Sequence, residues 1–389
     1  MTDRRQGTDR ATLERHFATE RDLVPLWIAE PGVELAAEIV EALKDRGATG
    51  WYGYETRPDS VLDAFRSWVA SRHGWDISAL HMLVSPSVGT SIGVLIEMLT
   101  EPGDGVILQP PVFTDFKTLI ASGDRAPVRS PLVLTDEGYR IDFDDIEEKA
   151  SEPRNRMLIL CSPHNPVGRV WSTGELDLVA SICARHDVFV LADEIHADLA
   201  LAPNSFVPFA HAAESHDASW AAAHGPIKTF GLAGVCDTTL ITNRADIAQR
   251  FEARSSQLHL TRNNVFGLAA FEAAYRHGDR WLDAFLALIS HNIGLLQQGL
   301  PDEIELIAPE GTYLAWLDLR RLGLDVAAIP NWLASAAGLA LSPGHWFGRE
   351  GAGFARMTIA APSSVIEHAV TQLQRAHGSG LSGSGTASA

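Results

Sequence analysis

The middle of the chain alternates short apolar runs with longer stretches whose apolar residues recur every three or four positions. The runs Gly105–Gln109, Arg156–Cys161, Val188–Ala192 and Thr238–Thr242 have the length and near-continuous apolar character of strands buried on both faces. Between them, Ile92, Leu95, Ile96 and Leu99 repeat at helical spacing. Ser172 to Glu175 reads as a capping box opening a helix through Leu178, Val179 and Ile182. A long amphipathic helix is expected after Gly278, with Trp281, Phe285, Leu288, Ile289, Leu295 and Leu296 on one side. After Pro309 the pattern becomes mixed, with a strand-like run from Gly311 to Leu319 and a closing helix around Ser364–Gln374. Strands alternating with helices predict an α/β core, and the later section predicts a smaller α+β lobe. The last residues are a Gly/Ser-rich, low-complexity stretch expected to be disordered.

Composition narrows this picture. The 389 residues are 46% hydrophobic and 21% charged, the balance of a globular protein with room for two domains. The formal net charge of −18 argues against a nucleic-acid or anionic-membrane partner, which would need clustered Lys and Arg. Cys161, Cys183 and Cys236 are scattered without metal-ligand spacing, as free thiols of a reducing cytoplasm would be. The N-terminus lacks an apolar signal core, and no apolar run approaches bilayer length. A cytoplasmic enzyme without bound metal is the expectation.

Three motifs carry chemistry. Lys228 lies in an apolar, glycine-rich setting, Gly225 to Gly234, where burial would make its amine a nucleophile. Asp193 ends the apolar run Val188–Ala192, and carboxylates at strand ends in open α/β sheets face the ligand crevice. Asn165 sits in a turn enforced by Pro166 and Gly168. Together they are what a pyridoxal 5′-phosphate (PLP) enzyme needs: a Schiff-base lysine, a carboxylate for the pyridine nitrogen and an amide for the ring hydroxyl. His196, three residues past Asp193, falls on the same side of a turn as a further cofactor contact. Ser87, Val88, Gly89 and Thr90 open a helix and offer backbone N–H groups to a phosphate.

In order and spacing these motifs resemble the fold type I PLP-dependent aminotransferase family, and within it the cystathionine β-lyase branch. The resemblance covers nearly the whole chain, including Leu26 to Glu30, Trp68 to Trp75, Thr100 to Phe113, Pro309 to Arg320 and Ser342 to Arg356. It implies a fold type I transferase: a large mixed-sheet α/β domain at 46–280, a small domain built from 1–45 and 281–376, and a tail at 377–389. It implies a homodimer in which Tyr54 reaches the neighbouring subunit's phosphate. It makes Arg356 the clamp for an amino acid carboxylate, places Phe113 against the cofactor ring and puts Ala29 beside the substrate.

Several positions depart from the branch pattern. Ser162 replaces an asparagine, Phe113 a tyrosine, Ile227 a serine, and Gly231 and Thr358 asparagines, while Ala29 to Gly32 replaces Ala-Asp-Met-Asp. The cofactor anchors persist while the surroundings of the reacting carbon change. Four activities stay open: β-elimination from an S-substituted cysteine, oxygen-dependent decarboxylation coupled to oxidative deamination of such a conjugate as in lincosamide-like antibiotic biosynthesis, transamination, and a non-catalytic regulatory role.

Overall fold

A computed structural model describes residues 8–19 and 21–380. Its main layer is a seven-stranded sheet of β1 (His81–Ser85), β2 (Gly105–Leu108), β3 (Ala126–Arg129), β4 (Asn155–Cys161), β5 (Phe189–Asp193), β6 (Trp220–His224) and β7 (Thr238–Thr242). The strand order is β1-β7-β6-β5-β4-β2-β3, in which only β7 runs antiparallel to its neighbours. Every residue of β2, β5, β6 and β7 is buried, as strands covered by helices on both faces require. The four strands expected from apolar runs are present to within a residue or two. β6 was not anticipated, because Trp-Ala-Ala-Ala-His is alanine-rich and alanine has little strand preference.

A second sheet holds β8 (Glu305–Ile307), β9 (Leu314–Asp318), β10 (Ser342–Pro343) and β11 (Phe354–Thr358) in the order β8-β9-β11-β10, all antiparallel. The large mixed sheet and this smaller one give the α/β plus α+β architecture expected. The helix Asp279–Gly299 forms where predicted, but its buried face is Leu282, Phe285, Ile289, Asn292 and Leu296. Asn292 is inside because its amide donates to the Ile359 and Ala361 carbonyls, both at 2.9 Å. The expected boundary at 45/46 falls within helix Ala37–Ala48, which packs against helix Val265–His277. The closing helix, Ser363–Gly380, runs four residues into the expected tail. His377 there stands 3.0 Å from Glu303 and Ala376 is buried, so packing extends the helix beyond its apolar pattern. Residues 381–389 lie outside the described part. Among the described residues, no helix is long and apolar enough to cross a membrane.

The turn after β4 joins the two sheets. The Gly168 carbonyl accepts from the Glu310 and Gly311 N–H groups at 2.8 and 2.9 Å. Gly168 has φ +74°, and a Cβ there would stand 2.8 Å from the Pro309 Cα. Arg169 reinforces the joint through Glu310 (2.7 Å) and Glu175 (3.1 Å). Gly168→Ala is therefore expected to destabilise the protein by about 1–3 kcal/mol from the left-handed backbone alone, with the Pro309 contact adding to it. Gly174→Ala, which has open space around it, should not. Urea midpoints of the two variants check this; equal midpoints would remove the steric argument.

Candidate active site

The carboxyl ends of β4, β5 and β6 converge on one place. Asp193 is the last residue of β5, beside Cys161 of β4 and Ala223 of β6 in register. β6 ends at His224, and Gly225 turns the chain into a single helical turn, Pro226–Thr229, that carries Lys228. The Lys228 Nζ donates to the Ala29 carbonyl at 2.8 Å, and the Tyr313 hydroxyl donates to the same oxygen at 3.2 Å. Burial lowers the Lys228 pKa to about 8, helped by the Arg356 charge and opposed by Asp193. Burial also raises Asp193 to about 7, against the pull of a hydrogen bond from the Ile195 N–H and the charge of Lys228.

Arg356, in β11, enters from the small sheet. Its Nη1 donates to Asn165 Oδ1 at 3.0 Å and its Nη2 to the Trp27 carbonyl at 2.7 Å, while the guanidinium lies 4.8 Å from the centre of the Phe347 ring. Burial lowers its pKa to about 10, so it remains a cation at neutral pH. With its oxygen engaged by Arg356, the Asn165 amide keeps its N–H groups for another acceptor. His196 is buried, with its ring edge toward Tyr313 at 6.0 Å. Burial and the charges of Lys228 and Arg356 hold it neutral.

Lys228, Asp193, Asn165, His196, Arg356 and Ala29 thus come together. Val88, Gly89 and Thr90 open the helix Val88–Leu99; the Ser87 hydroxyl caps the Thr90 N–H at 3.0 Å, and the Val88 and Gly89 N–H groups precede the helical ladder. Phe113 is half-buried and edge-on to Phe116 at 5.5 Å. Tyr54 stands apart from the cluster. It is 88% exposed beside Trp51 and Tyr52, with the Arg262 guanidinium 4.9 Å from its ring centre.

The residues suit PLP. Arg356 Nε and His196 Nδ1 are buried without a hydrogen-bond partner, although buried polar groups are normally satisfied. Asp193 is a buried carboxylate poised to accept from a ring N–H, and Lys228 is an amine partly deprotonated near neutral pH. Burial pushes the Cys161, Cys183 and Cys236 thiols up, which keeps them protonated and unreactive.

Sequence reasoning missed Asp198. Its carboxylate accepts from Trp68 Nε1, His73 Nε2 and Thr229 Oγ1, each at 2.8 Å, and so fixes the residue next to Lys228. Burial alone would raise its pKa, but bonds from His73, Trp68 and Thr229 outweigh it and hold the pKa low. The signal was Asp198 itself, a carboxylate within the otherwise apolar run of residues 197–202. A second buried pair, Glu194 with His224 at 2.7 Å, ties the end of β5 to the end of β6.

Three of the departures from the branch pattern, the segment Ala29 to Gly32, Gly231 and Thr358, are neighbours in space. Thr358 donates to the Ile28 carbonyl at 2.6 Å, and the Gly32 N–H donates to Ala360 at 2.6 Å. Gly231 has φ +70°, and a Cβ there would meet the Pro31 ring at 3.5 Å. Gly231 and the 358–360 strand end therefore both lie against the 28–32 segment, whose Ala29 carbonyl holds the lysine.

The profile of the family "Aminotransferase class I and II" matches residues 22–373. Cystathionine beta-lyase PatB of Bacillus subtilis is 33% identical over 358 residues, 91% of this chain and 92% of PatB. Protein MalY of Escherichia coli is 31% identical, covering 90% of this chain and 91% of MalY. The structure of cystalysin from Treponema denticola, which contains PLP, superposes with a TM-score of 0.89 at 30% identity, covering 97% of this chain and 98% of cystalysin.

The opposed pKa shifts predict a pH signature in the cofactor-free protein. Asp193 titrates at about 7 when folded against 3.8 ordinarily. The unfolded chain gives up that proton first, so stability falls between about pH 4 and pH 7. Lys228 titrates at about 8 against 10.5. Between those values the unfolded chain holds the extra proton, and stability recovers. Unfolding free energies from urea titrations between pH 4 and 10 should show both limbs, and Asp193→Asn should remove the acidic one. An acidic limb unchanged in that variant would contradict the assignment.

Proposed function

The chain belongs to the aminotransferase class I and II family, and we propose that it is a PLP-dependent C–S lyase of the cystathionine β-lyase type acting on S-substituted cysteines. The observation that carries this reading is Lys228: a largely buried amine with a pKa near 8 on the turn after β6, within reach of the charges of Asp193 at the end of β5 and of Arg356 in β11. Relatives of the same length that are named cystathionine β-lyases support it.

When bound, PLP supplies an electron sink for charge developing at the substrate's α-carbon. Lys228 would anchor it, Asp193 would hold a proton at its ring nitrogen, Asn165 and His196 would contact the ring oxygen, and Val88, Gly89 and Thr90 would face its phosphate. Phe113 would lie against the ring without the hydroxyl a tyrosine would bring. Arg356, a planar cation with Nε free, would pair with the substrate carboxylate and orient the bonds at Cα. The Lys228 amine, basic in part at neutral pH, would take the Cα proton as the thiolate leaves Cβ. The exposed aromatic run Trp51, Tyr52 and Tyr54 is of the kind that another subunit covers, which supports a homodimer with Tyr54 serving the neighbouring site.

A second reading is favoured by the cluster of departures around Lys228. Replacing a serine hydroxyl there by Ile227 and asparagine amides by Gly231 and Thr358 changes which transition state the site stabilises. Oxygen-dependent decarboxylation with oxidative deamination of the conjugate, with the C–S bond kept, is the alternative.

One experiment decides between them. The holoenzyme is incubated with S-methylcysteine with and without oxygen. Equal amounts of pyruvate, ammonia and thiol under anaerobic conditions are expected for the C–S lyase; oxygen consumption, carbon dioxide release and an intact C–S bond would overturn it in favour of the second reading. Lys228→Ala should lose both turnover and the borohydride-reducible lysine adduct. Sedimentation should give at least a dimer, and a fully active monomer would exclude the shared site.

A further inference from the structure

We propose that the cleft between residues 108–117 and residues 345–349 receives the sulfur substituent of the substrate, and that the substituent it favours ends in an anion such as a carboxylate. This rests on the C–S lyase reading above. The cleft holds about 280 Å3. That is slightly less than the ~300–1,000 Å3 typical of whole-ligand pockets and suits one arm of a ligand. Its walls are Val112, Phe113, Trp346 and Phe347. Phe347 is the ring on which the Arg356 guanidinium rests, so the cleft opens beside the carboxylate clamp. The Val112 N–H donates to the Phe347 carbonyl at 3.0 Å, which holds the two walls together.

Charge identifies the occupant. The protein carries −18 overall, yet the cleft lining includes Lys117, Arg129, His345 and Arg349 and no acidic side chain. Glu350, just outside, pairs with Arg129 and stands 3.5 Å from Arg349. Lys117 makes no ion pair among the described residues, and Arg129 Nε is buried without a partner. The helix Thr114–Ser122 also begins here without a side-chain cap at Phe113; Asp115 stands in its first turn, and the Phe116 N–H donates to the Phe113 carbonyl at 3.4 Å. Aromatic walls with a cationic outer end match an apolar linker that terminates in a negative group. Glu350, whose Oε2 is buried without a partner beside Gly348, sits between Arg129 and Arg349, so the local charge favours an anion over a terminal ammonium.

The test compares two near-isosteric substrates on the holoenzyme, S-(2-carboxyethyl)-L-cysteine and its carboxamide. The carboxylate is expected to have the higher kcat/KM by about tenfold at low salt, a difference of about 1.4 kcal/mol. The ratio should shrink as salt screens the charges. Lys117→Met should bring the ratio toward one, while Lys44→Met, on the distant helix Ala37–Ala48, should leave it as it was. A ratio near one in the unaltered enzyme, or a ratio insensitive to both Lys117→Met and Arg349→Met, overturns the proposal. If neither compound is turned over, the C–S lyase reading fails separately. Calorimetric binding of the same pair then reads the charge preference directly, and equal affinities would reject the cleft assignment.

Discussion

The burial of two groups that would both be charged in water organises this molecule. Asp193 ends β5 and Lys228 lies on the helical turn just past the neighbouring β6, and burial drives the carboxyl up to about 7 and the amine down to about 8. Neither shift is possible on a loop in solvent. Each needs β5 and β6 enclosed on both faces, which the helical layers around the large sheet provide. Holding the pair out of water is unfavourable for the empty fold and would suit a site that binds a cationic ring nitrogen and keeps an amine reactive near neutral pH.

Keeping that lysine in one position takes a separate set of buried polar contacts. Asp198 draws Trp68, His73 and Thr229 together, and Glu194 pairs with His224 across the strand ends. Trp68 also packs edge-on to Phe230 at 5.7 Å, so both residues that follow Lys228 are clamped from the helix Asp59–His73. From the other side, the segment around Ala29 is pinned by Thr358, Tyr313 and Arg356. The lysine is thereby fixed between the large sheet and a strap that is hydrogen-bonded to the small sheet. Pro31 of the strap faces Gly231 of the lysine loop, where an added Cβ would lie 3.5 Å from the Pro31 ring, so these two positions are spatial neighbours.

Much of this was legible in the residues. Continuous apolar runs mark strands buried on both faces, and the capping box at Ser172 and Glu175 forms with both of its reciprocal bonds. Lys228, Asp193 and Asn165 announce themselves by their turns and strand ends. Less legible were elements whose composition is neutral. The all-alanine centre of β6 has no strand signature, yet it lies in the sheet because β5 and β7 flank it. Asn292 breaks an apolar helical face and is nonetheless inside, because two carbonyls of the 359–361 segment await its amide.

The sequence alone determined local conformations and the kinds of chemistry available: which stretches pair or coil, and which lysine, acid, amide and arginine are on offer. Only the tertiary structure decided how those groups behave. The distance between Asn165 and Arg356 spans nearly two hundred residues of chain but 3.0 Å of space. Asp198 became a clamp, and four basic side chains came to line one cleft of an acidic protein, because helix, strand and loop from separate parts of the chain close on the same volume. Pattern reads neighbours three, four or two residues apart. Desolvation and charge depend on neighbours in space, and those are set only when the whole chain has packed.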